Sequence, residues 1–377
     1  MPARGFVDLL ALIAGVFGAI GSQHTPAGER AASSGTHRAA HVQARPAAAA
    51  SLPQTDAKLL GQRIMVGMDG LSAAPGLLAR IRAGQVGSVI LFSANIGTRT
   101  QLQSLTASLQ RAARQGRNPP LLIATDQEGG QVKRLPNGPP DRSPPQIAAT
   151  GSTTVSSNEG RATGRYLKGV GINMDLAPVV DVPTFPGAFI WRQGRAFSFN
   201  ADSVAKYATA FALGVQSGHA AATAKHFPGV GSAGVDTDNK LDVLRPTAAQ
   251  LSAALTPYRS LIPRGLDAVM LSTAAFPAYD PTRTPAALSR TIIQGLLRRQ
   301  LKFGGVTITD ALGTPTGHDE VTAGVLAARA GADILLYTDA ASGELAALQT
   351  ALQDGRINRT EAQASYRRIV TLKQRVA

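Results

Sequence analysis

The chain of 377 residues contains no cysteine. Disulfide scaffolds, thiolate metal centres and cysteine nucleophiles are therefore excluded. Aromatic residues make up only 5% of the chain and Trp191 is the sole tryptophan, so a ligand ring cannot be held mainly by stacking. Acidic side chains are also scarce, with 24 Asp+Glu facing 38 Lys+Arg for a formal net charge of +14. No Gly-x-Gly-x-x-Gly or Gly-x-x-x-x-Gly-Lys-Ser/Thr loop follows any apolar run, so the usual phosphate cradles of nucleotide-binding domains are missing.

What is present is a globular composition. Hydrophobic residues at 44% against 16% charged supply a full core and rule out a disordered or collagen-like chain. The first 57 residues carry four basic and three acidic side chains, which leaves +13 on the remainder. There the charge is spread over helical stretches such as Arg290, Arg298, Arg299 and Lys302, then Arg367, Arg368, Lys373 and Arg375. Nowhere do aromatic and basic residues alternate as a base-stacking platform requires, and no nucleic-acid partner is expected. The excess reads as a solvated basic surface suited to the neighbourhood of an anionic cell-wall polymer.

The N-terminus starts with Arg4, continues in an apolar stretch from Phe6 to Gly21 interrupted by Asp8, and then turns polar. A positive start before an apolar region too short for a comfortable span predicts a secretory signal or an uncleaved membrane anchor over residues 1–21. Without a cysteine after the apolar run, a lipoprotein anchor is not available. Residues 22–57 are rich in Ala, Ser, Gly and Pro, and His24, His37 and His41 fall at irregular spacing; a flexible linker is the better reading than a metal tract. A secreted or cell-surface protein is expected, with one folded domain over residues 58–377.

In that domain, short apolar runs alternate with stretches of helical periodicity. The runs are Arg63–Met68, Ser88–Phe92, Leu121–Asp126, Ile172–Leu176, Ala222–His226, Ala268–Ser272, Val306–Asp310 and Asp333–Tyr337. The clearest helix is Ala201–Ser217, with Asn200 as a cap, a three-and-four spacing of Val204, Ala205, Ala208, Phe211, Ala212 and Val215, and Gly218 as a left-handed stop. Continuous apolar strands between helices predict a parallel sheet buried on both faces. Eight such units suit an α/β fold of the closed (β/α)₈ TIM-barrel type, with chemistry at the carboxyl ends of the strands; a doubly wound open sheet is the alternative, and the missing phosphate-binding loops speak against it. Those ends carry Asp126, Asp175, Lys225–His226, Ser272–Thr273 and Asp310. Asp175 alone is expected to serve structure, as the cap of the following helix.

Six segments share one pattern: ILFSANI (Ile90–Ile96), IATDQEGGQVKRL (Ile123–Leu135), INMDLAPVVDV (Ile172–Val182), GRAFS (Gly194–Ser198), AKHFPGVG (Ala224–Gly231) and GGVTITDALG (Gly304–Gly313). In this order they resemble glycoside hydrolase family 3, most of all its single-barrel bacterial β-N-acetylglucosaminidases. The resemblance runs from about Leu59 to the C-terminus. It implies a catalytic nucleophile at Asp310, and Asp126, Arg134, Arg195, Lys225 and His226 as the sugar-binding set. Carboxylates and guanidinium groups bind hydroxyls through paired, charge-assisted bonds, so recognition need not depend on aromatics. Glu128 is expected to support the site, and the two glycines after it to let the backbone turn tightly. The resemblance implies a monomer that needs no metal or organic cofactor and acts on a β-linked oligosaccharide or cell-wall glycan.

The chain departs from the pattern after the fifth strand, where it reads KHFPGVGSAGVDTDNKLDV. Val230 stands where the resemblance implies a histidine, Asp236 matches the orienting aspartate of the acid/base dyad, and Asp238 stands in the place of the catalytic histidine. Thr273 also replaces a common histidine after the sixth strand. Three readings remain open. Asp238 is itself the acid/base, since two carboxylates two residues apart repel and one retains its proton. Alternatively His318 reaches the cleft, although the N-terminal surface of a helix is its expected place. Finally, the chain has lost hydrolysis and binds glycans only. The expectation adopted is an exo-acting retaining β-glycosidase, a β-N-acetylhexosaminidase ahead of a β-glucosidase, with Asp310, Asp238 and Asp236 as its catalytic residues.

Overall fold

The computed structural model of the protein describes residues 51–338 and 343–377. The expected export segment and residues 22–50 of the expected linker lie outside the described residues. A helix over Asp56–Gly61 begins before Lys58, Thr55 caps it, and Arg359 holds Asp56 through two bonds of 2.6 and 2.9 Å.

All eight expected strands form: β1 (Ile64–Val66), β2 (Ser88–Ile90), β3 (Leu122–Thr125), β4 (Met174–Asp175), β5 (Ala221–Phe227), β6 (Ala268–Leu271), β7 (Val306–Thr309) and β8 (Leu335–Tyr337). They pair in parallel in sequence order, with β8 beside β1. The bridge Ile308–Ile334 and the bond from Thr309 N–H to the Ile334 carbonyl at 3.0 Å join β7 to β8 and close the barrel.

The strands read as apolar throughout because they bury both faces. Met65, Ile90, Leu122, Ala124, Ala268 and Met270 pack inside the barrel. Their neighbours Ile64, Val66, Val89, Ile123, Val269 and Leu271 pack outward against the helices. This is the alternation that a pleated strand imposes. The last helix, Arg359–Val376, places Ile369, Leu372 and Val376 in the inner cluster, so it plugs the amino end of the barrel. That leaves the carboxyl end to open on solvent.

The helix Ala201–Ser217 forms over the expected residues, and Asn200 caps it by accepting the Ser203 N–H at 2.8 Å. Gly218 does not stop it in the left-handed region; its φ is −85°, and His219 takes the positive φ of 70°. A side chain at Gly218 would lie 2.7 Å from the Arg161 carbonyl, so glycine is required there by close packing against the helix Thr153–Gly169. Among the described residues no helix is long and apolar enough to cross a membrane.

Candidate active site

A cleft of about 530 Å³ opens at the carboxyl end of the barrel, lined by Asp126, Arg134, Arg195, Lys225, His226, Asp236, Asp238 and Asp310 among others. All eight residues named from the sequence as catalytic or substrate-binding therefore meet at one place. They come from the ends of β3, β5 and β7 and from the loops after β3, β4 and β5.

Local structure explains how each arrives. Asp126 and Asp310 directly follow β3 and β7. In a regular strand consecutive side chains point to opposite faces, yet Lys225 and His226 both line the cleft. The pairing of β5 with β6 is irregular between Ala224 and Phe227, which accommodates this. After Asp126 the chain makes an unexpected small antiparallel hairpin, Gln127–Gly129 with Val132–Lys133. Gly129 and Gly130 supply its positive φ values of 95° and 61°, as the sequence led one to expect. The hairpin returns Arg134 to the cleft, with its N–H on the Asp126 carbonyl at 3.1 Å and its guanidinium 3.7 Å from the Asp126 carboxylate.

Glu128 is the hub beneath the cleft. Its two oxygens accept Arg195 Nε and Nη2, both at 2.8 Å, and Lys225 Nζ reaches Oε1 at 2.7 Å. Burial alone would raise this carboxyl, but the two cations outweigh it and hold Glu128 down at about 2. Lys225 also donates to Asp126 Oδ1 at 2.7 Å. Burial opposes the lysine's charge, yet Asp126 and Glu128 raise its pKa. Two of the three donors of this ammonium are thus engaged, and Lys225 also lines the cleft.

His226 is oriented by a residue that the sequence reading did not single out. Asp181, buried in the loop after β4, accepts His226 Nδ1 at 2.7 Å and the Val230 N–H at 2.8 Å. Burial disfavours a charged imidazole, but Asp181 and then Asp310 overcome it and raise the His226 pKa. The signal was in the quoted VVDV segment: an aspartate closing an apolar run. Val230 is fully buried and contributes its backbone rather than a polar side chain.

Asp310 is half-buried at the cleft floor, with Oδ1 accepting the Ala311 N–H at 2.9 Å. Asp238 stands at the rim on the loop after β5. The negative charge of Asp310, then burial, then Asp236 push its carboxyl up to about 6, against the opposing pull of His226 and Arg195. Repulsion from Asp236, expected from the sequence, is thus a smaller effect than that of Asp310. Asp236 instead receives the Asp238 N–H at 3.1 Å and the Gln193 side-chain amide at 2.8 Å.

Other expectations resolve as follows. Asp175 is structural but caps no helix: fully buried, it accepts the Gln127 N–H at 3.0 Å, and burial raises its carboxyl well above the usual range. His318 is exposed beside the start of the helix Glu320–Ala330 and does not line the cleft. Thr273 is buried away from the cleft, and its hydroxyl has no hydrogen-bond partner among the described residues. No cluster of three or more His, Asp or Glu among the described residues is arranged to hold a metal ion. Phe92 escaped notice; its ring lies under the Arg134 guanidinium at 5.9 Å and lines the cleft.

Comparison with known proteins places this geometry in context. Residues 59–372 match the family model described as the Glycosyl hydrolase family 3 N terminal domain. An uncharacterized secreted glycosyl hydrolase of Arthroderma benhamiae is 36% identical over 332 residues, covering 84% of this chain and 93% of that protein. Beta-hexosaminidase A of Pseudoalteromonas piscicida is 30% identical over 379 residues, covering 88% of this chain. The solved family 3 β-N-acetylglucosaminidase of Paenibacillus sp. superposes with a TM-score of 0.81 at 34% identity over 86% of this chain. The chain spans 63% of the length of each of the last two proteins.

Proposed function

This chain belongs to glycosyl hydrolase family 3 and is a glycoside hydrolase acting on O-glycosyl bonds, and we propose that it is an exo-acting, retaining β-N-acetylhexosaminidase. Its substrate is terminal N-acetylglucosamine on cell-wall or extracellular glycans, and it works outside the cytoplasm. The sugar is supported by the relatives named as a hexosaminidase and a β-N-acetylglucosaminidase, and export by the relative named as secreted and by the signal-like N-terminus.

In this reading Asp310 attacks the anomeric carbon while Asp238 gives its proton to the departing glycosidic oxygen. The carbon–oxygen bond breaks and a glycosyl-enzyme forms on Asp310. Asp238, now a carboxylate, takes a proton from water; that water attacks the same carbon and releases Asp310, so configuration is retained. Asp126, Arg134, Arg195, Lys225 and His226 bind the sugar hydroxyls, and the Lys225–Glu128–Arg195 network fixes them before the sugar arrives.

The observation that carries this reading is that Asp238 and Asp310 line one cleft, where the negative charge of Asp310 is the first of the effects that push the Asp238 carboxyl up. A carboxyl raised in pKa beside a second carboxyl suits the role of proton donor. The test is a panel of aryl β-N-acetylglucosaminides and aryl β-glucosides, with the anomer of the first product read by NMR. Faster cleavage of the N-acetyl sugar with initial release of the β anomer is expected. Preference for glucosides would reassign the sugar. No cleavage of either, with glycan affinity intact in Asp310→Ala, would make the chain a glycan-binding protein.

A further inference from the structure

The loop after β5 is fastened to the barrel at both ends but scarcely at its tip. On the first side, the Val230 N–H bonds Asp181, the Gly231 carbonyl accepts the Thr184 N–H, and the Ala233 carbonyl accepts the Phe189 N–H. Arg192 then donates to the Gly234 carbonyl at 3.2 Å. On the far side, Asp242 and Leu244 exchange backbone bonds with Ala275. Between them lie residues 235–241, which include both Asp236 and Asp238. Among the described residues, only one hydrogen bond runs from this tip to the rest of the barrel: the side-chain amide of Gln193 donates to Asp236 Oδ2 at 2.8 Å.

Gln193 is placed to carry information along that bond. Its backbone is fixed at the end of the short helix Phe189–Arg192, where its N–H bonds the Phe189 carbonyl. Its own side-chain oxygen accepts Arg195 Nη1 at 3.1 Å. The chain of contacts therefore runs from Lys225 through Glu128, Arg195 and Gln193 to Asp236, whose second oxygen holds the Asp238 N–H. One end of this chain touches the sugar site and the other sets the position of the acid/base.

We propose that Gln193 is a positioning residue that couples the sugar clamp to the acid/base loop, holding Asp236 and through it Asp238 over the glycosidic oxygen. The inference rests on the reading of Asp238 as proton donor. A carboxamide suits the task because it donates to the carboxylate and accepts from the guanidinium at once. Arg195 keeps its two bonds to Glu128 without it, so removal of Gln193 leaves the clamp assembled and frees only the tip.

The experiment compares the full-length protein with Gln193→Leu, Gln193→Glu and Asp238→Ala, on alkyl glycosides with poor leaving groups and on dinitrophenyl glycosides that depart unprotonated. Gln193→Leu should lower kcat/KM for the alkyl glycoside roughly 10- to 100-fold, the range for a lost hydrogen bond to a charged group. The dinitrophenyl glycoside's kcat/KM, which reports formation of the glycosyl-enzyme alone, should change by less than about threefold, because the proton is not needed in that step. Gln193→Glu still accepts from Arg195 but repels Asp236, so it should be the slower of the two on the alkyl glycoside. It should also move the basic limb of the pH profile, which a merely structural residue would not. The double variant Gln193→Leu/Asp238→Ala should be no slower than Asp238→Ala alone, since Gln193 acts through Asp238.

Unfolding midpoints identify any variant that fails to fold, and hydrogen exchange of residues 235–241 in folded Gln193→Leu should be faster than in the parent. Loss at Asp238 with no loss at either Gln193 variant overturns the coupling and leaves the acid/base assignment standing. Parental activity of Gln193→Glu with a slow Gln193→Leu overturns the link to Asp236, because support of Arg195 alone would then suffice. No loss at Asp238 overturns both.

Discussion

The two ends of the barrel bury the same kinds of side chain to opposite effect. At the amino end, Asp333 accepts Arg298 and Arg368 at 2.6 Å each and the Thr307 N–H at 2.9 Å, and these cations hold it down at about 2 against the effect of burial. Arg63, almost wholly buried, donates to the Ala328, Ala332 and Asp333 carbonyls. At the carboxyl end, Glu128 is held at about 2 by Arg195 and Lys225 in the same way. The difference lies one layer outward: Lys225, His226, Asp126 and Asp310 face an open cleft, whereas the helix Arg359–Val376 lies over the amino end. A buried ion network is thus a fastening where its donors meet acceptors within the protein, and a candidate binding site where it borders an open cleft, as the proposed function requires.

This contrast predicts separable losses. The largest effect is expected from Asp310→Ala: turnover should fall roughly 10⁴-fold or more, as for removal of other nucleophiles, with an unchanged unfolding midpoint by calorimetry. Asp333→Ala should do the reverse. It leaves two partly buried guanidinium groups and the Thr307 N–H without their carboxylate, which costs roughly 2–3 kcal/mol of stability, while kcat/KM of the folded protein stays within about twofold because distant sites act independently. Urea unfolding and assays below the transition check both halves; lost activity in folded Asp333→Ala would break the separation.

A smaller effect concerns Lys373, which is fully buried at the amino end between Gln62 Oε1, at 2.6 Å, and the Gly87 carbonyl, and which forms no ion pair with a carboxylate among the described residues. Burial pushes its pKa down to about 7. From about 7 up to the ordinary lysine range the unfolded chain holds a proton that the folded chain lacks, so this group makes stability rise with pH, by at most about 1.4 kcal/mol per pH unit. Unfolding free energies of Lys373→Met, measured from pH 7 to 9.5, should lack that slope. An identical slope in parent and variant would show that the buried lysine does not titrate there.

Much of this was legible in the sequence. Eight apolar runs became eight strands because a strand buried on both faces must be apolar at every position, and no other element of that length needs to be. The candidate site stood out because strand ends that stop at Asp126, Lys225–His226 and Asp310 serve no core, and the structure brings these residues to one cleft. Less visible were residues that act through others. Asp181 and Gln193 are single polar residues in loops, and only folding brings them to His226 and Asp236. The Gly218 stop was misread because glycine answers two needs, positive φ and close approach, which leave the same letter in the sequence. Likewise the acidity of Asp238 owes most to Asp310, a neighbour 72 positions away along the chain.

The central claim, that Asp238 has taken the role of proton donor opposite Asp310, is tested most directly by azide rescue of Asp238→Ala. Loss of general acid and base catalysis should cost about 10²–10⁴ on substrates with poor leaving groups. On dinitrophenyl glycosides the glycosyl-enzyme should form but await a base, and azide, which needs none, should accelerate turnover and leave a β-glycosyl azide. In the parent, activity on the alkyl glycoside should fall as pH rises through about 6, where Asp238 gives up its proton, and the variant should lack this limb. An Asp238→Ala protein as fast as the parent on both substrates, with no glycosyl azide formed, would contradict the account.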